Sequence, residues 1–399
     1  MRNETITAPA GFRAGAAAAG IKKKAGALDV AVLVADAPCA AAAVFTRNRF
    51  CGAPVTVGRE HIRHGRLRGV VVNSGCSNVA TGERGVKDAR EMCRLLAEHV
   101  GGQPEQFLPA STGVIGRFLP MAKLRRGIPA AVADLADSAE AGLRFTRAIM
   151  TTDLKVKQAS EPVRIDGAVA TVAGCCKGSG MIAPNMATML AYLTTDVEVP
   201  ARLLRPLLHR AVEPTFNRVT VDECPSTSDT VALLASGLGP VLAGRKDVQK
   251  FAGALNSVCA ALAYQIAEDG EGATRVLEVI VEHARTAHDA HKAARAIAVS
   301  PLVKTAVHGG DPNWGRIIQA LGATDVHYEP QRVTVWLDKD PLFAHGAPAA
   351  NLNLTRLSKL MRRKHVPIRV SLGAGEHADR VLTCDLSREY IAINADYTT

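Results

Sequence analysis

Six short segments of this 399-residue chain are dense in glycine and in small polar residues where core residues would otherwise be expected. They are PASTGVIG (109–116), IMTTD (149–153), KGSGMIAPNMATM (177–189), DGEGATR (269–275), HGGDPNWGR (308–316) and INADYTT (393–399). Hydroxyls in such segments can serve as nucleophiles if a base stands beside them, and glycine backbone can approach a substrate closely. The same residue types build turns in any protein, and each segment taken alone reads more readily as a turn. It is their combination in one chain that points to chemistry. Thr188 draws most notice, because it sits where the loop KGSGMIAPNMA passes into the apolar run TMLAYLTTD.

Familiar catalytic signatures are absent: there is no GxxxxGK[ST] phosphate loop, no GxSxG elbow and no HExxH. His283, His288 and His291 read as exposed residues of a basic helix, since no compact set of acidic or cysteine ligands accompanies them. The nine cysteines form no CxxC pair, and Cys175-Cys176 is not metal-ligand spacing. Reduced, mostly buried thiols in a cytoplasmic enzyme are the expectation.

The chemistry must be carried by a mixed α/β scaffold. Residues 28–36 (LDVAVLVAD) and 69–73 (GVVVN) read as buried strands, and 83–100 as an amphipathic helix with Val86, Ala89, Met92, Leu95, Leu96 and Val100 on one side. Helical character returns around 121–149. A strand over 167–176 then leads into the glycine-rich loop, and a second strand leaves it. Helices follow at 201–213, 245–268, 288–298 and 352–364, and strands at 274–283, 332–338 and 366–372. The alternation predicts sheets covered by helices; periodicity leaves the strand order open.

With 47% hydrophobic and 22% charged residues the composition is that of a soluble globular protein. The formal charge of +10 suits nucleic acid, acidic membranes and small anionic substrates alike. Only 4% of residues are aromatic, so base-stacking platforms are not expected. The basic runs Lys22-Lys23-Lys24 and Arg362-Arg363-Lys364 are short, the second on a predicted helix, and both read as solvated faces. The apolar stretch ALDVAVLVADAPCAAAAVF contains Asp29, Asp36 and Pro38 and is not read as a membrane span.

Taken in order, these segments make the chain resemble the ornithine acetyltransferase family, which includes bifunctional glutamate N-acetyltransferases. KGSGMIAPNMATML is that family's most distinctive segment; TAPAGFRAG, TRNRFCGAPV, ASTGVIG, DGEGAT, HGGDPNWGRI and INADYTT fall in the family's order, so the resemblance runs end to end. It implies an ornithine acetyltransferase-type fold, with helices over layered sheets, and the strategy of an N-terminal-nucleophile enzyme. Cleavage between Ala187 and Thr188 would give an α fragment, 1–187, and a β fragment, 188–399, with a C-terminal subdomain from about 285. The freed amine of Thr188 would then act as base for its own hydroxyl.

By the same resemblance, Thr188 takes the acetyl group of N2-acetylornithine and passes it to glutamate. Thr112 and Gly113 form the oxyanion hole, while Thr152, Lys177, Thr188, Glu271, Asn394 and Thr399 contact substrate. Lys177 is expected to pair with the α-carboxylate that ornithine and glutamate share, and Glu271 with a cationic part of ornithine. No cofactor or metal is implied, although acetyl-CoA serves some members as donor. An α2β2 assembly in the cytoplasm is implied, with neither nucleic acid nor membrane as partner.

The chain departs from the family's pattern at 73–78 (NSGCSN for an asparagine-rich stretch), at 222–229 (DECPSTSD for a DGDTSTND-like stretch) and in TTDLKVK, which lacks a proline near 156. None of these touches the implied nucleophile, oxyanion pair or substrate contacts. Two other readings stand beside the transferase: a self-processed hydrolase or aminopeptidase with water as acceptor, and a basic nucleic-acid-binding protein, which no recognised motif supports.

Overall fold

The computed structural model describes residues 4–183 and 189–396, which divide into two compact units. The first comprises residues up to Asn217 together with Pro225–Leu262; the second comprises Arg218–Cys224 and the residues from Ala263 onward.

In the first unit the strands are β1 (Phe12–Ala17), β2 (Val30–Phe45), β3 (Arg66–Cys76), β4 (Phe107–Val114), β5 (Lys157–Ile165), β6 (Ala168–Lys177), β7 (Leu190–Thr195) and β8 (Thr230–Ala235). They form one eight-stranded sheet in the order β4-β3-β2-β8-β7-β6-β5, with β1 also on β2. The predicted strand 28–36 is only the first half of β2. Its Val30–Val34 pairs with β3, whereas Ala40–Phe45 pairs with β8, so one long strand joins both halves of the sheet.

The helices are α1 (Ala53–His61), α2 (Gly82–Val100), α3 (Met121–Ala133), α4 (Ala139–Ile149), α5 (Ala201–Val212) and α6 (Arg245–Glu268), the last running on into the second unit. Val30, Val32 and Val34 pack with Met92, Leu96, Leu124 and Ile128 of α2 and α3. The alternate residues Ala31 and Leu33 pack with Phe145, Ile149 and Tyr192. Both faces of β2 are thus covered, which is why LDVAVLVAD reads as a continuous apolar run rather than an alternating one. Each such valine, leucine, isoleucine, methionine or phenylalanine side chain contributes about 1.5–3 kcal/mol of burial. The helical stretch around 121–149 is two helices, because Ser138 accepts a hydrogen bond from the Ala141 N–H and starts α4 afresh.

The second unit holds a six-stranded sheet of β9 (Val276–Ala284), β10 (Thr334–Leu337), β11 (Asp340–Ala344), β12 (Ala347–Pro348), β13 (His365–Ser371) and β14 (His377–Cys384), in the order β12-β11-β10-β13-β9-β14. Its helices are α7 (Ala287–Val299), α8 (Pro301–Gly309), α9 (Trp314–Gly322), α10 (Leu354–Met361) and α11 (Arg388–Asp396). Ala290, Ala294, Ile297, Val303 and Ile317 pack with Leu277, Val279, Ile368 and Val370 of the sheet. The mixed α/β reading with layered, helix-covered sheets therefore holds.

Three local expectations are corrected. His283 lies on β9, not on a helix, in a left-handed conformation (φ 55°), and its Nδ1 meets the Ser371 hydroxyl; His291 on α7 is bound to Asp379 at 3.1 Å. The helix predicted over 352–364 ends at Met361, so Arg362-Arg363-Lys364 lies in the exposed turn that follows. Lys22 is half-buried rather than on a solvated face: its ammonium donates to the carbonyls of Leu28 (2.7 Å) and Ala148 (3.3 Å). Among the described residues, no helix is long and apolar enough to cross a membrane.

Candidate active site

Thr112 and Gly113 lie near the end of β4, in register with Ser74 and Gly75 of the parallel strand β3. Gly113 has φ +123°, and a Cβ there would stand 2.5 Å from the Gly75 carbonyl carbon. Only glycine fits so close an approach in that conformation. The segment is therefore a strand end and not the free turn that composition alone allowed. Asn73 braces it, accepting from the Ser111 hydroxyl (2.6 Å) and donating to the Cys76 carbonyl (2.8 Å). Cys76, one of the departures from the family's pattern, is buried, and its thiol donates to the Arg117 carbonyl at 3.4 Å.

Lys177 closes β6 and is buried, which rules out a solvated loop lysine. Its Nζ lies 3.4 Å from Thr112 Oγ1 and donates toward it. Behind it stands a group that the residue pattern does not single out. The Asp153 carboxylate accepts from Lys157 Nζ (2.7 Å), from the Gly178 N–H (2.7 Å) and from the Thr151 N–H (2.9 Å). Both side chains of the Asp153–Lys157 pair are wholly buried. Burial works against the charged carboxyl, but Lys157, Lys177 and these hydrogen bonds outweigh it and bring its pKa down to about 2. The anion fixes the TTD loop at one end and Gly178 of the KGSG loop at the other. Thr152, between Thr151 and Asp153, is half-buried on that loop.

Lys22 is the further cation of this region, within electrostatic reach of Asp153 and Lys177; burial lowers its pKa to about 8. The sequence holds only a slight signal for the Asp153–Lys157 pair: TTD belongs to one of the small polar segments, and a lysine four residues after Asp153 is an ordinary spacing. What makes the pair unusual is its depth, which no local pattern encodes.

Pro184–Thr188, including the proposed scissile pair Ala187 and Thr188, lies outside the described residues, as does Thr399. The chain is described again from Met189, immediately before β7. The Met189 N–H donates to Asp229 Oδ1 (3.0 Å), and the Met189 carbonyl accepts from the Thr230 N–H (3.0 Å). The first residue after position 188 is thus held on both sides by the start of β8.

In the second unit Glu271 is buried in the loop between α6 and β9, and Asn394 lies on α11. The structure brings these two together: Asn394 Nδ2 donates to Glu271 Oε2 at 2.9 Å. The rest of DGEGATR is structural. Asp385 accepts from the Thr274 N–H (2.7 Å), the Thr274 hydroxyl (2.6 Å) and the Arg275 N–H (2.8 Å), and it meets His308 Nδ1 at 2.7 Å. HGGDPNWGR is a helix junction: Gly310 ends α8 in the left-handed conformation (φ 72°), and the Asn313 side chain caps α9 by accepting from the Arg316 N–H. For this segment the turn reading is the right one. Among the described residues no group of three or more His, Cys, Asp and Glu is arranged to hold a metal ion.

Two strand ends thus offer a hydroxyl, an unhindered glycine and a buried ammonium within one unit, a donor set suited to a developing oxyanion or a carboxylate. The profile of the ArgJ family matches residues 13–399. An arginine biosynthesis bifunctional protein ArgJ from Dehalococcoides mccartyi is 45% identical over 99% of this chain and 97% of its own length. A crystal structure of the ArgJ protein of Bacillus halodurans is 36% identical, covers 52% of this chain and 98% of its own, and superposes with a TM-score of 0.50. An ornithine acetyltransferase of Mycobacterium tuberculosis, solved in complex with ornithine, is 38% identical over 46% of this chain and 96% of its own, at a TM-score of 0.42. With a family profile matching nearly its whole length and a relative this similar end to end, the chain belongs to the ArgJ family of bifunctional arginine-biosynthesis enzymes.

Proposed function

We propose that the chain cleaves itself between Ala187 and Thr188 and then transfers acetyl from N2-acetylornithine to glutamate, through an acetyl-threonine ester. The observation that carries this reading is the meeting of Thr112 and Lys177 at the ends of β4 and β6, beside a chain re-entering the sheet at Met189.

In the first half-reaction Thr188 Oγ bonds to the acetyl carbonyl carbon while its proton passes to the Thr188 amine. That amine has an ordinary pKa of about 7.7–8.0, so a useful fraction is neutral near pH 7. Thr112 Oγ–H and the Gly113 N–H donate to the oxyanion. The carbon–nitrogen bond then breaks, the threonine ammonium protonates the leaving amine, and ornithine departs. In the second half-reaction the neutral amine of glutamate attacks the ester, its proton moves to the Thr188 amine, and the ester C–O bond breaks with the proton returned to Oγ.

Lys177 pairs with the α-carboxylate common to both amino acids, Glu271 with the cationic end of ornithine, and Thr152, Asn394 and Thr399 complete the contacts. No metal or resident cofactor takes part; acetyl-CoA is a co-substrate at most. The working form is a cytoplasmic α2β2 assembly of fragments 1–187 and 188–399, each contributing to one site.

Two measurements test the reading. With acetyl-labelled N2-acetylornithine and glutamate, label is expected in N-acetylglutamate; release as free acetate whether or not glutamate is present would make the protein a hydrolase. Thr112→Ala, assayed as processed enzyme, is expected to lower kcat by about 10²–10³ with little change in KM. A Thr112→Ala enzyme of normal kcat would remove Thr112 from the oxyanion hole.

A further inference from the structure

The two amino acids that use the site in turn share an α-carboxylate but carry side chains of opposite charge. Glu271, given above to the cationic end of ornithine, would repel the side-chain carboxylate of glutamate. Glutamate therefore calls for a second cation besides Lys177, and the first unit holds one. Lys22 lies on the loop between β1 and β2. Its ammonium donates to the carbonyls of Leu28 (2.7 Å) and Ala148 (3.3 Å), and the Ala148 carbonyl also accepts from the Ser74 hydroxyl at 2.6 Å. Lys22 Nζ and Ser74 Oγ thus stand side by side on one acceptor. Ser74 of β3 is in register with Thr112 of β4, whose hydroxyl meets Lys177. In-register residues of neighbouring strands present their side chains to the same face. The backbone agrees: a Cβ on Gly75 would stand 3.3 Å from the Lys22 nitrogen, and Gly75 is the residue that Gly113 packs against.

Two ammoniums therefore flank Thr112 and Gly113, Lys177 beside β4 and Lys22 beside β3. Adjacent strands run about 4.8 Å apart, and the two carboxyl carbons of glutamate can stand about 5 Å apart. The two lysines differ in what already neutralises them. Lys177 acts on Asp153 together with Lys157. Lys22 has no carboxylate at ion-pair distance among the described residues. Asp29, the acid that acts on it most strongly, accepts instead from the N–H groups of Ala19, Ile21 and Lys22. Two of the three ammonium donors of Lys22 are used, both on neutral carbonyls.

We propose that Lys22 is an acceptor-specificity residue, which binds the side-chain carboxylate of glutamate while Lys177 holds its α-carboxylate. This rests on the acetyl-transfer reading above. A Lys22 that only fastens its loop to the end of α4 would serve both substrates equally, and kinetics separates the two roles.

In processed enzyme, Lys22→Met is expected to lower kcat/KM for glutamate by at least about tenfold, chiefly through KM. Glutamine, the uncharged analogue, is expected to lose far less, so that the two acceptors approach parity. The burst of ornithine released from N2-acetylornithine without any acceptor is expected to stay within about threefold of wild type. Lys23→Met, on the exposed neighbour, is expected to change none of these. An unchanged preference for glutamate over glutamine, or an equal fall in both half-reactions, overturns the proposal.

A second measurement needs no variant. The charged groups acting on Lys22 are Asp29, Asp153 and Lys177, and burial brings its pKa down to about 8. Its charge is therefore present below about pH 8 and is lost above it. The ratio of kcat/KM for glutamate to that for glutamine reports the free enzyme, and it is expected to fall at least about threefold between pH 7 and pH 9. Titration of the enzyme's other groups acts on both acceptors alike and cancels in the ratio. A flat ratio overturns the proposal. Label transfer from N2-acetylornithine to glutamate by wild type comes first. Without it the transferase reading falls and this proposal with it; with it, and with both Lys22 readouts unmoved, only the role of Lys22 falls.

Discussion

Replacing Thr188 with alanine is expected to give a single chain of 399 residues where the wild type gives pieces of 187 and 212 (399 − 187), and to lower acetyl transfer by at least about 10⁴-fold. Denaturing electrophoresis with amino-terminal sequencing checks the first part and label transfer the second. On the proposed mechanism both effects come from one hydroxyl, which attacks the preceding carbonyl once in the life of the chain and acetyl carbonyls thereafter. The lost chemistry is expected without loss of the fold. The sheet resumes at Met189, whose backbone is held by Asp229 and Thr230, and β7 pairs with β6 and β8 on either side. A Thr188→Ala chain that is still cut at the same bond, or still transfers acetyl at the wild-type rate, would end the mechanism.

The largest stability effect is expected at Asp153. Asp153→Ala leaves the Lys157 ammonium wholly buried without its counter-ion and strips acceptors from the N–H groups of Thr151 and Gly178. Breaking a buried pair from one side costs about 3–5 kcal/mol, which for a unit of this size is a fall in Tm of roughly 10 °C. Removing both charges, in Asp153→Leu with Lys157→Met, is expected to recover most of that loss, since two apolar side chains carry no desolvation penalty. The pH dependence has a definite sign. The folded pKa of about 2 lies below the unfolded value near 4, so the stabilisation is full above about pH 4 and is lost as pH falls toward 2. Thermal melts between pH 2 and 7 check this; an Asp153→Ala melt within 2 °C of wild type across that range would show the pair to be idle.

These two residues also mark the boundary between what is legible in the chain and what is not. Thr188 can be found in one dimension, because a small-residue loop running into an apolar strand is a local pattern. Val30–Val34, α2 and α6 can be found for the same reason, their hydrophobic period being set by neighbours in sequence. Thr112, Gly113 and Lys177 stand out only as members of dense polar segments, and the linear chain offers turns as the readier account of each. Pairing between β3 and β4 decides for Gly113, by placing a backbone where a Cβ would have to go. Burial at the end of β6 decides for Lys177. HGGDPNWGR goes the other way because helix capping uses the same residue types.

Lys157 and Asp229 are not legible at all, and Asp153 only as the last residue of a small polar segment. A carboxylate in a sequence carries no mark of whether water will reach it, and ionisable groups are exposed by default. Depth is a property of strands brought side by side from 40 or more residues apart, as Asp229 is to Met189. The sequence alone therefore determined which elements form and which loop the proposed nucleophile occupies. Only the tertiary structure decided which charges stand out of solvent, because desolvation depends on what packs around a group and not on what precedes it in the chain.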